Sequence, residues 1–307
     1  MNIIEQATQR LEELKRAGID IPWAAVEQAG AGAALKEATA APANVIAHAA
    51  VPAPVRRDGP VLRSKDIHVD MARLAELGYI VPGRERSRWA EEFRAVKRAV
   101  LDVIRQPQQK TPRSNLLMVT SALPGDGKTF CALNLALSIA AEVDSSVMLV
   151  DADVVKPSVL DRLGVQAEAA GLLDVLSGSV NDLSEVLLKP DSIPKLTLLH
   201  AGMPRENATE LLASGAMDRL LDELSTRYTD RIVVFDAPPL LLTSEAKALA
   251  KKVGQLLMVV RESVTRVEDL TNAYACVESV PNVISVLNGS PLEEAPQGYA
   301  SGYGYAA

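Results

Sequence analysis

The stretch Ser121-Ala-Leu-Pro-Gly-Asp-Gly-Lys-Thr129 constrains this chain more than any other. A short apolar run, Leu116–Thr120, precedes it, and Lys128–Ala141 follows with helical periodicity. Strand, glycine-bearing loop and helix in that order build a cradle for an anion. Gly125 and Gly127 let the backbone turn so that amide N–H groups point inward, and the start of the helix adds its positive dipole end. Within Pro124-Gly125-Asp126-Gly127-Lys128-Thr129-Phe130, Lys128 has the reach for β- and γ-phosphates, and the Thr129 hydroxyl suits Mg²⁺. The first position of this pattern is usually Gly and here is Ala122. The alternative is a chance glycine turn, which would need neither the strand before it nor the helix after it.

The rest of the sequence continues the alternation. Apolar runs predict strands at Val147–Val150, Leu196–Leu199, Ile232–Phe235, Gln255–Val260 and Val283–Leu287. Helical segments are expected between them at Ala208–Tyr228, Ser244–Lys251 and Arg266–Ser279. This is an α/β pattern: a mainly parallel, doubly wound sheet of the P-loop NTPase type, with ligands at the carboxyl ends of its strands. Two strands end in acids there, Val147-Met-Leu-Val-Asp151-Ala-Asp153 and Ile232-Val-Val-Phe-Asp236. An Asp in such a place can cap the next helix. Two acidic strand ends beside one phosphate loop are better explained by a Mg²⁺ site around Asp236, with Asp151 and Asp153 nearby and one of them free to act as a base.

The remaining sequence divides into an N-terminal amphipathic helical segment (1–29), an Ala/Pro-rich linker (30–60), the P-loop domain (61–292, with N-terminal helices in 70–104) and a flexible tail (293–307). A net charge of -7 argues against a nucleic-acid partner held by general attraction. Cys131 and Cys276 lack metal-ligand or disulfide spacing, which fits a reducing cytoplasm. No apolar run reaches the roughly 20 residues a membrane span needs, so membrane association is expected to come through a partner or a weak surface contact. The tail carries Tyr299, Tyr303 and Tyr305 among glycines, a composition that suits either a reachable phosphate acceptor or a merely sticky segment.

These motifs resemble the bacterial tyrosine autokinases of exopolysaccharide export, the BY-kinases. The resemblance covers about Trp89–Tyr305. It rests on the P-loop, Val150-Asp-Ala-Asp-Val-Val-Lys-Pro157, Phe235-Asp-Ala-Pro-Pro-Leu240, Glu210-Leu-Leu-Ala-Ser214 and the terminal tyrosines. Ile3-Ile-Glu-Gln-Ala7 and Glu91-Glu-Phe-Arg-Ala-Val-Lys-Arg98 look most like the exosortase-associated subgroup, whose kinase is a separate chain from its membrane activator. The resemblance implies an ATP- and Mg²⁺-dependent protein-tyrosine kinase. Its catalytic residues would be Lys128, Asp151 and Asp153, with Asp151 accepting the tyrosine proton. Thr129, Asp153 and Asp236 would serve Mg²⁺, Asn288 would contact adenine, and Tyr299, Tyr303 and Tyr305 would accept phosphate. Glu91, Arg94 and Lys97 would form a subunit contact, with Lys97 standing where the family has Arg. The implied partners are further copies of the chain, in a homo-oligomer or ring, a membrane-embedded co-polymerase activator and a phosphotyrosine phosphatase. The implied location is cytoplasmic, at the inner membrane. The competing reading is a MinD- or ParA-type dimer-switch ATPase. That group carries an early lysine in its P-loop, where this chain reads Ala122-Leu123-Pro124.

Overall fold

The computed structural model describes residues 64–83, 88–105, 113–166, 170–227 and 231–290. The expected N-terminal helix, the linker and the tail with Tyr299, Tyr303 and Tyr305 lie outside the described residues. The framework is an eight-stranded sheet. In chain order its strands are β1 (Lys65–Ile67), β2 (Leu116–Ser121), β3 (Ser146–Asp151), β4 (Leu187–Pro190), β5 (Leu196–Leu199), β6 (Arg231–Asp236), β7 (Gln255–Arg261) and β8 (Asn282–Asn288). Their spatial order is β1-β4-β5-β3-β6-β2-β7-β8, and every pairing is parallel except β4 with β5. The expected mainly parallel α/β fold is therefore borne out.

The central strands read as unbroken apolar runs because helices cover both faces of the sheet. Alternate residues serve opposite cores. Leu116, Met118, Met148, Val150, Val233 and Phe235 pack on one side with α5 (Leu172–Leu176), α6 (Ala208–Ala213), α7 (Gly215–Arg227) and α8 (Ser244–Ala250). Leu117, Val119, Val147, Leu149 and Val234 pack on the other with α1 (Met71–Glu76), α2 (Arg88–Arg105), α3 (Lys128–Ala140) and α4 (Val159–Leu163). A last helix, α9 (Val267–Ala275), precedes the edge strand β8, whose alternating half-buried and exposed residues suit an edge. Helix α3 is buried nearly all round. Its Asn134 accepts the Ile80 amide at 2.8 Å and donates to the Phe130 carbonyl at 3.2 Å, tying the segment after α1 to the P-loop helix.

Three expectations change in the structure. The single helix expected over Ala208–Tyr228 is two, α6 and α7, because Ser214 turns extended (ψ 165°) and its hydroxyl accepts the Ala216 amide. A Ser-Gly pair favours such a break, since Ser competes as a cap and Gly adds little helix propensity. Strands β1 and β4 are too short to show a period in the sequence; the fold makes them by pairing them with each other and with β5. The third change concerns Lys97, expected at a subunit contact. It sits on the inward stripe of α2 formed by Ala90, Phe93, Val100 and Leu101. Its ammonium pairs with Glu142 and donates to the Ser138 carbonyl at 3.4 Å, so it is a buried intramolecular brace. Glu91 is exposed and pairs with Arg94 one turn on.

Candidate active site

Strands β2, β3, β6, β7 and β8 bring their carboxyl ends to one edge, and each carries a site residue there. In register, Val119 of β2 faces Asp236, Asp236 faces Asp151, and Arg261 faces Asn288. The P-loop runs from Ala122 to Gly127, and α3 starts at Lys128. Gly125 (φ 89°) and Gly127 (φ 99°) both adopt the left-handed conformation that L side chains avoid. Gly127 is doubly required, because a Cβ there would lie 2.1 Å from the Asn288 amide nitrogen. No side chain caps the start of α3, so its first-turn N–H groups are left for an anion.

Much of what holds the loop open was not legible from the motif. Asp126 is buried, and its carboxylate accepts the Leu123 amide at 3.3 Å and the Thr265 hydroxyl at 3.1 Å. Arg261 donates to the Gly125 carbonyl at 3.1 Å, and Asn288 donates to the Asp126 carbonyl at 2.8 Å. These groups come from β7, β8 and the loop after β7, so only the folded sheet brings them to the loop. Asn288, expected at adenine, thus braces the P-loop. It also lines an apolar cavity of about 320 Å³ together with Phe130, Phe93 and Val96.

The phosphate cleft, about 460 Å³, is lined by Gly125, Gly127, Lys128, Thr129, Asp153, Lys156, Ser158 and Arg162, among others. Lys128 is nearly buried in its floor. Asp153 is the one carboxylate among the cleft's lining residues. Burial raises its pKa, against the lowering effect of the Lys156 amide and the charges of Lys128 and Lys156.

Asp151 and Asp236 lie deeper. One Asp151 oxygen accepts the Ser158 and Val159 amides at 2.9 and 3.0 Å, capping α4, which is the capping role left open for such a strand end. Its other oxygen is buried without a partner. Both Asp236 oxygens are buried with no hydrogen bond of normal length. Burial pushes each carboxyl up to about 7; at Asp236 the neighbouring Asp151 charge adds to the rise, while the nearby Thr129 hydroxyl and Lys128 oppose it. The Thr129 hydroxyl lies 3.2 Å from the Ser158 hydroxyl. Unpartnered carboxylate oxygens beside a hydroxyl fit a hard cation, while the Lys128 ammonium suits the phosphates. Among the described residues no three His, Cys, Asp or Glu side chains enclose a metal on their own, so such a cation would also need phosphate oxygens and water.

A phosphate loop at the carboxyl edge of a parallel sheet, flanked by two acidic strand ends, defines a P-loop nucleotide-binding domain. Within that class, its relatives are bacterial tyrosine kinases and polysaccharide transport proteins. The chain is 31% identical over 243 residues to the succinoglycan biosynthesis transport protein ExoP of Rhizobium meliloti, covering 77% of this chain and 29% of ExoP. It is 28% identical over 218 residues to the tyrosine-protein kinase YwqD of Bacillus subtilis, covering 70% of this chain and 85% of YwqD. Among solved structures, the kinase domain of the Escherichia coli tyrosine kinase ETK superposes with a TM-score of 0.60 at 28% identity, covering 74% of this chain and 84% of that one. The resemblance to bacterial tyrosine kinases read from the motifs is borne out by these relatives. The chain spans about a quarter of the length of longer curated relatives such as the tyrosine-protein kinase Wzc of Salmonella typhimurium and ExoP. No family model matches the chain.

Proposed function

We propose that this chain transfers the γ-phosphoryl group of ATP to tyrosines of its own segment 293–307, in the service of exopolysaccharide export. The observation that carries this reading is the cleft itself. It combines a phosphate cradle with Lys128 in its floor and a single carboxylate, Asp153, open to an incoming hydroxyl. Thr129 and Asp236 would hold Mg²⁺, which when bound neutralises developing phosphate charge, and Asp153 is left free of the metal. Lys128 and the first-turn amides of α3 bind and orient the phosphates. The tyrosine oxygen forms its bond to the γ-phosphorus as the bond to the β-phosphate oxygen breaks, ADP leaves, and the phenol proton passes to a carboxylate. The resemblance gave that proton to Asp151. Asp151 is buried and spends one oxygen on α4, so we assign proton acceptance to the cleft-lining Asp153 and the positioning of residues 157–159 to Asp151.

The base of the nucleotide fits the apolar cavity beside Asn288 and Phe130. Subunit contact through Glu91 and Arg94 is part of the same proposal, without Lys97. So are the phosphatase and the membrane co-polymerase as partners, and membership of the exosortase-associated subgroup. Among the described residues no helix is long and apolar enough to cross a membrane, so the link to the membrane is assigned to that partner. The test is phosphosite mapping after incubation of the chain with ATP and Mg²⁺. Phosphate on Tyr299, Tyr303 and Tyr305 is expected; phosphate confined to serine, or none, overturns the reading.

A further inference from the structure

The floor and the mouth of the phosphate cleft differ in chemistry. The floor is charged and polar, built from Lys128, Thr129 and Asp153. At the mouth, Val155 is 69% exposed and Leu242 is 64% exposed, and both line the same cleft. Their immediate neighbours Val154 and Leu241 pack into or against the core. The chain therefore turns one apolar side chain inward and the next out to water at both of these positions. Two exposed aliphatic side chains lining one charged pocket are a surface with no partner inside the described fold.

We propose that Val155 and Leu242 form an acceptor subsite that receives the phenol ring of a tyrosine from the chain's own segment 291–307. The ring lies against these two side chains and the hydroxyl points to the floor. This rests on the kinase reading above and adds to it the reason for tyrosine. A ring buries the two aliphatic groups while its oxygen reaches Asp153; a serine hydroxyl, one carbon from the backbone, would leave them in water.

Two further observations choose the occupant. Strand β8 ends at Asn288, whose amide is bonded to the P-loop, so the last described residues before this segment lie beside the phosphate loop. Tyr299 stands eleven residues beyond Asn288, a span that reaches roughly 36 Å when extended. Charge also matches. The Asp and Glu residues of segment 291–307 are Glu293 and Glu294, it has no Lys or Arg, and the exposed Lys156 and Arg162 flank the cleft.

The test uses the full chain with ATP and Mg²⁺ and reads two quantities: phosphotyrosine in 291–307 by mass spectrometry, and affinity for a fluorescent ADP analogue. The double variant Val155→Asp, Leu242→Asp should lower the initial rate of tyrosine labelling by about tenfold or more, while nucleotide affinity stays within about twofold. Leu242→Met, which keeps an apolar side chain of similar size, should label close to the parent rate. Parent-rate labelling by the double variant overturns the subsite and leaves the kinase reading intact. An equal loss of labelling and nucleotide affinity also overturns the subsite. A parent chain that forms no phosphotyrosine overturns both.

Discussion

Lys128, Asp151, Asp153 and Asp236 share one strand-end cluster and yet have different work, and their surroundings decide which. Lys128 is the one lysine in the floor among the P-loop residues, so Lys128→Met should abolish phosphoryl transfer, by a factor of at least about 10². Radiolabelled ATP measures this, and far-ultraviolet circular dichroism checks that the fold survives. The two acids of β3 and its following turn should separate by kinetics. Asp153→Asn is expected to slow transfer by about 10² or more while nucleotide binding holds, because a positioned base contributes on that scale. Asp151→Asn keeps a carbonyl oxygen for the Ser158 and Val159 amides and should slow transfer less. If Asp151→Asn proves the slower enzyme with nucleotide affinity intact, the base assignment returns to Asp151. The motif made Lys128, Thr129 and the acids visible, because their spacing is local. It left Ser158, Arg261 and Thr265 hidden, since each matters only through a residue on another element, and it placed Asp126 among the nucleotide-site residues where the structure makes it an internal brace of the loop.

Helix α2 shows how a surface motif and a core position look alike in sequence. Glu91-x-x-Arg94-x-x-Lys97 has the spacing of an exposed charged face, yet Lys97 falls on the stripe that meets α3. A long aliphatic stem lets lysine occupy such a place when its ammonium finds partners, here Glu142 and the Ser138 carbonyl. Lys97→Ala should therefore destabilise the protein by about 1–3 kcal/mol through lost packing and a lost ion pair, lowering the melting temperature by several degrees. A melting temperature unchanged from the parent, with altered molar mass, would restore Lys97 to the interface. The boundaries of long elements were legible from period and apolar runs. The α6/α7 break, the 3₁₀ turn at Leu183–Glu185 and the antiparallel β4 were not, because two to six residues carry no period.

At the scale of the whole molecule, the site is held at a cost to stability that pH should expose. Folding raises the carboxyls of Asp151 and Asp236 from the ordinary 3.8 to about 7. Between those values the folded chain holds protons that the unfolded chain has released. Stability from these groups is thus fully present below about pH 4 and is lost as pH rises towards about 7. The contribution of these two groups should make the nucleotide-free protein melt at a lower temperature at pH 7.5 than at pH 5. Asp236→Asn should remove part of that loss, raising the melting temperature at pH 7.5 by a few degrees while weakening Mg²⁺-dependent nucleotide binding. No gain in the variant would mean that Asp236 is not strained in the empty site. Assembly is the other property of this scale. Each phosphotyrosine adds about -1.5 to -2 charges at pH 7, so an oligomer held through Glu91 and Arg94 should dissociate once segment 293–307 is phosphorylated. Light scattering before and after incubation with ATP reads this directly, and equal molar masses would refute it.

The sequence by itself determined the parallel α/β sheet, the phosphate loop and the acidic ends of β3 and β6, because apolar runs, glycine spacing and strand-end acids are short-range signals. Tertiary structure alone decided which acid faces the cleft, that Lys97 points inward, that Asn288 braces the P-loop at the Asp126 carbonyl, and that Val155 and Leu242 both line the phosphate cleft while exposed. Each of these depends on the side-chain surroundings of residues far apart in the chain, which local spacing does not encode.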